Sequence, residues 1–207
     1  MIFNFIIKGG PVMFPIVLGS VLGCAIVIER FWVFRGLKIN TFDFSQVVFK
    51  NLKQKKFQEA LLVCEKFIRH PLATIFKIGI ERRNLPLERL EKVLEQAGNN
   101  QIQRLERNLG ALVSIVGIEP LLGFLGTITG LIRAFMSWER AGSNVTVSLL
   151  AAGIYEAMIT TAAGLMVTIP LYLCYNYFVS RIKAFSNELS NHCIQLLELI
   201  TELKEES

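Results

Sequence analysis

Two carboxylates in this chain sit inside stretches otherwise free of charge, and they are its chief candidates for chemistry. Glu156 is the only formal charge between Arg140 and Arg181, within SNVTVSLLAAGIYEAMITTAAGLMVTIPLYLCYNYFV (residues 143–179). Glu119 is the only one between Arg107 and Arg133, within RNLGALVSIVGIEPLLGFLGTITGLIRAF (residues 107–135). Each stretch exceeds the ~20 apolar residues that cross a ~30 Å hydrocarbon core. An ionised side chain at that depth costs at least ~2.5–3.5 kcal/mol, so each carboxylate calls for a purpose or a partner. Steps of three or four residues from Glu156 reach Gly153, Thr160, Gly164 and Thr168, a small and polar stripe on one helix face. The chemistry this pattern suits is ion passage, with a carboxylate and hydroxyls along one wall. The alternative is a protonated Glu156 buried at a helix interface and bonded to a backbone carbonyl. In the other stretch Gly123, Thr127, Gly130 and Ala134 form a second stripe, to which Gly126 adds. Such a stripe lets another backbone approach closely, while Thr127 offers a hydroxyl to a neighbour or to water. Pro120 frees a carbonyl near Glu119 and is expected to bend the helix there.

The elements that position these groups are helices in a membrane. The chain has 207 residues, 52% of them hydrophobic, and a mean hydropathy of +0.46, with the apolar residues bunched. That indicates an integral membrane protein with a modest soluble part. At the start, a basic residue ahead of an apolar run imitates a signal peptide. The run continues from Val12 through Ile28 and resumes at Phe31 to Phe34, so a first transmembrane helix is expected instead. Pro11 suits its first turn. Glu29, Arg30, Trp32, Arg35 and Lys38 give its far end the profile of an interfacial anchor.

Between the first two spans, Leu61, Cys64, Phe67 and Ile68 repeat at helical spacing, His70-Pro71 interrupts, and Asn84 with Pro86 marks another restart. From Pro86 the pattern Leu87, Leu90, Leu94, Ala97, Ile102, Leu105, Leu109 and Leu112 meets no breaker and predicts one helix running on to Met136. The tail keeps a stripe of Phe185, Leu189, Cys193, Leu196, Ile200 and Leu203, which suits packing on those helices or on a twin subunit.

Charge sets the expected orientation. Of 22 Lys and Arg residues, fifteen lie from Arg35 to Arg107, whereas only Lys8, Arg133 and Arg140 flank the opposite ends of the spans. A cytoplasmic segment explains this excess, and the net charge of +5 needs no nucleic acid. The expected fold is therefore an all-α integral membrane protein of three transmembrane helices with long cytoplasmic helical extensions, N-terminus outside and C-terminus inside. Its divisions are a periplasmic N-terminus and first span (1–35), a cytoplasmic helical segment (36–107), a second span (108–136), a periplasmic turn (137–146), a third span (147–179) and a cytoplasmic C-terminal helix (180–207).

No HExxH, GxSxG, Walker A or dinucleotide fingerprint occurs, so an enzyme is not expected. The cysteines Cys24, Cys64, Cys174 and Cys193 form no CxxC, and His70 has no ligand-spaced companion. A secondary transporter would carry more spans and an internal repeat. Three helices do not readily enclose a pore, so an oligomer or a partner helix is expected to complete the pathway.

Three segments, KGGPVMFPIVLGSVLGCAIVIER, EPLLGFLGTITGLIRAF and AAGIYEAMITTAAGLMVTIPLYLCYN, resemble those of the MotA/TolQ/ExbB proton channel family in its ExbB/TolQ branch. The resemblance covers essentially the whole chain in order. It implies a multi-pass subunit of the bacterial inner membrane, a stator assembled as a homopentamer around two copies of a single-span partner similar to ExbD or TolR. Proton flow would then drive energy transduction to the periplasm or outer membrane, in TonB-type import or Tol–Pal-type function, with a TonB- or TolA-like protein beyond. No cofactor is implied beyond the coupling ion. Thr127 falls on the family's threonine in the GTxxG turn, Glu156 on its membrane glutamate, and Thr161 on its third-span threonine. The MotA branch fits poorly, because it would need an additional span and a longer cytoplasmic insertion.

This chain departs from the family pattern at Glu119, where a small residue is usual. A second intramembrane carboxylate keeps sodium open as the coupling ion, and a gliding-type motor stator or a non-conducting membrane scaffold stays open as the role. If Arg133 and Val147 lie at equal depth, Thr127 comes level with Gly153 and Glu119 with Thr161, about 7 Å from Glu156 along the axis. Glu119 would then relay a proton, hold a cation with Thr160 and Thr161, or cap the carbonyl freed by Pro120.

Overall fold

The structure, a computed structural model, describes residues 8–36, 41–141 and 147–205. Seven helices are present among the described residues, and no strand: α1 (Met13–Gly36), α2 (Thr41–Lys53), α3 (Phe57–Lys66), α4 (Pro71–Glu81), α5 (Leu87–Glu106), α6 (Leu109–Ala141) and α7 (Val147–Glu205). The chain divides into two compact units, one of Met1–Phe31 with Asn108–Phe178 and one of Trp32–Arg107 with Val179–Ser207. Three helical stretches are long and apolar enough to cross a membrane, one in each expected span.

In the first unit the large apolar side chains point away from the helix contacts. Phe14, Leu18 and Val21 of α1, Leu121 and Phe124 of α6, and Met158 and Met166 of α7 are each at least half exposed. A surface so apolar suits lipid, where packing rather than the hydrophobic effect must hold helices together. The small residues supply that packing. A Cβ on Gly123 would lie 3.1 Å from the Thr161 Cα, and one on Gly164 would lie 2.7 Å from the Glu119 carbonyl oxygen and 3.2 Å from the Gly123 Cα. Cβ atoms on Gly130 and Gly153 would each crowd the other's carbonyl oxygen, at 3.0 and 2.9 Å. Gly126 packs on the Thr160 side chain. At four of these five glycines the α6–α7 contact is made with backbone atoms.

Three boundaries differ from the sequence reading. The helix expected to run unbroken from Pro86 ends at Glu106, because Asn108 adopts φ +63°. Asparagine enters the left-handed region more readily than other non-glycine residues, and no glycine or proline flagged the break. The Asn108 Nδ2 donates to Glu29 Oε2 at 3.1 Å, and Glu29 also accepts from Arg30. Second, α6 continues past Met136 to Ala141, so Trp138, Glu139 and Arg140 are helical rather than in a turn; residues 142–146 lie outside the described residues. Third, the expected third span and C-terminal helix are one helix of 59 residues, since no breaker stands near residue 180 and α7 also continues through Pro170.

The second unit is a water-type helical domain. Helices α2 to α5 and the C-terminal part of α7 bury Val48, Leu52, Cys64, Ile75, Phe76, Leu90, Leu196 and Ile200 in one apolar cluster. Phe76 anchors it, with the rings of Phe44 and Phe49 at 5.8 and 5.4 Å. The α3–α4 break comes where expected: His70 takes an extended conformation, which its following proline favours, and Pro71 opens α4. His70 is a core residue against the Phe185 ring. The tail stripe of Leu189, Leu196 and Ile200 closes the cluster, as its spacing suggested.

Two measurements check this packing. Burial pushes the Cys64 thiol up to about 12, which leaves almost no thiolate at pH 8, and the thiolate is the reacting form. A maleimide at that pH should therefore modify Cys64 only after denaturation; rapid labelling of the folded protein would contradict the core. In the membrane unit, Gly164→Ala should lower the unfolding midpoint in detergent by the equivalent of ~1–3 kcal/mol, because its methyl meets backbone rather than a yielding side chain. Gly117→Ala, where a Cβ meets nothing within 4 Å, should be neutral or stabilising.

Candidate ion pathway

The polar groups between α6 and α7 lie in three layers. In the first, Arg133 Nη1 donates to Glu156 Oε1 at 2.6 Å, with side-chain exposures of 44% and 19%. The segment before α1 covers this pair. Gly10 adopts φ +70°, a conformation that favours glycine, and a Cβ there would push the Glu156 carboxyl aside. One turn along, Thr160 is fully buried; its hydroxyl lies 2.7 Å from the Glu156 carbonyl and 3.2 Å from the Gly9 carbonyl. The Lys8 ammonium sits 5.6 Å from the centre of the Tyr155 ring.

In the second layer the hydroxyls of Thr127 and Thr161 are hydrogen-bonded to each other. The Thr161 hydroxyl also lies 3.0 Å from the Gly123 carbonyl, and the Thr127 hydroxyl lies 3.4 Å from the carbonyls of Gly123 and Ala157. The glycines on α6 make this meeting possible, because Gly123 brings its backbone to within van der Waals reach of Thr161.

The third layer holds Glu119. Its side chain is 1% exposed and faces Gly19 of α1, where a Cβ would displace it. Glu119 Oε2 has no hydrogen-bond partner among the described residues, and the same holds for the buried Thr168 Oγ1. Gly164 faces Gly123, so one further turn on each antiparallel helix brings Thr168 level with Glu119.

The register therefore differs from the one expected. Thr127 meets Thr161 rather than Gly153, and Glu119 meets the Gly164–Thr168 turn rather than Thr161. Equal depth for Arg133 and Val147 was the faulty premise, since α6 is longer than expected and Arg133 reaches along the hairpin to Glu156. From Glu156 to Thr168 is twelve residues of α7, about 18 Å, so the two carboxylates are separate sites and Glu119 does not join Thr160 and Thr161. The sequence reading placed Thr160 one turn from Glu156 on α7, and the Thr160 hydroxyl lies beside the Glu156 carbonyl; the meeting of Thr127 with Thr161 was not part of its register. It missed Arg133 as a partner, and Gly10 and Gly19 as the points where the first span approaches each carboxylate. The need of a membrane carboxylate for a counter-ion was the available signal for Arg133.

Comparison with known proteins gives the fold a lineage. The sequence pattern of the MotA/TolQ/ExbB proton channel family matches residues 65–191, which include all three layers of α6 and α7. The chain is 34% identical over 179 residues to the ExbB-like 1 protein of Synechocystis sp., covering 84% of this chain and 69% of that one. It is 33% identical over 100 residues to the Tol-Pal system protein TolQ of Haemophilus influenzae, covering 48% and 43%. It is 31% identical over 111 residues to the biopolymer transport protein ExbB of Salmonella typhimurium, covering 54% and 43%. For these last two the match spans less than half of the relative's own length. With three apolar helices of spanning length and these relatives, the chain is a multi-pass membrane protein that belongs to the MotA/TolQ/ExbB proton channel family, in its ExbB/TolQ branch.

Proposed function

We propose that this chain is the ion-conducting stator subunit of an inner-membrane energy transducer. The observation that carries the reading is the pair of adjacent polar layers formed by Glu156 with Thr160 and by Thr127 with Thr161, oxygen-bearing groups brought together within a largely apolar hairpin. One chain supplies one wall only. A homopentamer would repeat it around two copies of an ExbD- or TolR-like single-span subunit whose own carboxylate takes the proton. The proton motive force is then the energy source, a TonB- or TolA-like protein or its equivalent the recipient, and no enzymatic reaction or resident cofactor is needed. Sodium in place of the proton and a gliding-type motor are variants of the same reading. Under it Glu119 lies off the Glu156 level, and Gly123, Gly126, Gly130, Gly153 and Gly164 hold the wall straight by packing.

The Arg133–Glu156 ion pair favours a second reading, a non-conducting scaffold in which the carboxylate only balances a guanidinium. A double-mutant cycle separates the two. Glu156→Gln alone leaves Arg133 unpaired, whereas Glu156→Gln with Arg133→Gln removes both charges. The stator reading expects the double variant to assemble normally and to lose at least ~90% of energy-dependent activity. Assembly rescued together with activity would establish the scaffold.

Orientation is part of the proposal: N-terminus and the turn after α6 in the periplasm, the second unit and α7 C-terminus in the cytoplasm. In intact cells a membrane-impermeant thiol reagent should label a cysteine placed at Gly142 and miss one at Gln58 or Glu202. Labelling at Gln58 would reverse the topology.

A further inference from the structure

We infer that Glu119 and Thr168 form a second, membrane-buried site for a small monovalent cation, a proton or Na⁺, distinct from the Glu156 layer. Glu156 already has its cation, since Arg133 lies 2.6 Å away. Glu119 does not. It is as buried as the core of the protein, at 1% exposure, yet Oε2 meets no donor among the described residues. The group level with it, Thr168 Oγ1, is buried and equally without a partner. Two unpartnered oxygens at one level, on facing helices, point to something small that the oxygens share.

The surroundings fit a cation better than an anion or a fixed donor. Pro120 and Pro170 lack N–H groups, so the carbonyls of Val116 and Met166, in the turns beside Glu119 and Thr168, lose their usual helical donors. The nearest side-chain hydroxyl on α1, Ser20, donates to the Val17 carbonyl at 2.7 Å and so is already committed. Charged groups are distant on every packed helix. On α1 the nearest are Glu29 and Arg30, paired with each other and about 15 Å along the helix from Gly19. On the second span they are Arg107 and Arg133, and on α7 there is none between Glu156 and Arg181. The layer therefore supplies acceptors and a single potential negative charge, with the Glu119 carboxyl seated against Gly19. A proton on Oε2 would donate to Thr168 or a freed carbonyl; Na⁺ would take the same oxygens as ligands.

Occupancy can be read without any transport assay, so failure here is distinguishable from failure of the stator reading. The purified full-length protein is treated with dicyclohexylcarbodiimide, which attacks protonated carboxyls in apolar surroundings, and the adduct on Glu119 is followed by mass spectrometry. Adduct formation should slow at least about tenfold either as pH is raised from about 6 to about 9 or, at fixed pH, as Na⁺ replaces choline. Protection by Na⁺ identifies a sodium site; dependence on pH alone identifies a proton site. Glu119→Gln should abolish that adduct. Thr168→Val keeps the shape but removes the hydroxyl, and should move the Na⁺ or pH midpoint at least about threefold in ion concentration. No adduct at Glu119, a rate indifferent to both ions, or a Thr168→Val protein that titrates as wild type would each overturn the site.

Discussion

Backbone contact between α6 and α7 is the constraint on which the membrane unit depends. In lipid no hydrophobic force drives two apolar helices together, so they must gain from close packing and from hydrogen bonds made across the contact. Gly123, Gly130, Gly153 and Gly164 remove the side chains that would keep the axes apart. Once the backbones touch, the neighbouring side chains have no freedom of register. Thr127 meets Thr161, Thr160 meets Gly126, and Arg133 comes within reach of Glu156. The polar layers are consequences of the glycine contacts rather than independent features.

The two membrane carboxylates meet the same desolvation problem differently. Glu156 is ion-paired and keeps some exposure, with the backbone before α1 laid over it. Glu119 is enclosed between Gly19 and the α7 stripe, and its Oε2 meets no donor among the described residues. A carboxylate beside a guanidinium has its charge balanced within the chain, whereas an isolated buried one has no such partner. That difference in environment is why the two glutamates, alike in sequence terms as single charges in apolar runs, do not have equivalent chemistry.

Much of this was legible from residue types because membrane segments obey few rules. Apolar length marked the three spans, small-residue spacing marked the α6–α7 contact, and helical stripes such as Leu189, Leu196 and Ile200 marked the core of the second unit. What escaped were features that depend on a partner elsewhere in the chain. Asn108 looks like any polar residue until its φ and its bond to Glu29 are seen. Counting depths from Arg133 failed because arginine is long enough to reach along the hairpin to a carboxylate. Gly10 and Gly19 look like ordinary small residues in a first span; only the folded chain brings them against Glu156 and Glu119.

The ion pair has a consequence for any cation that uses the Glu156 layer. Oε1 is occupied by a guanidinium that cannot be deprotonated in a protein, so an incoming cation competes with Arg133 rather than filling an open carboxylate. Arg133 is the more exposed partner, at 44% against 19%, and its long side chain can swing toward water at modest cost while Glu156 stays under Gly10. A small cation bound at this carboxylate would compete with Arg133, so under the proposed function its binding and the withdrawal of Arg133 would be linked, each favouring the other by the same free energy. Thr160, bonded to the Glu156 and Gly9 carbonyls, and the Thr127–Thr161 pair do not depend on that arginine, so the hydroxyl wall keeps its geometry whichever cation faces the carboxylate.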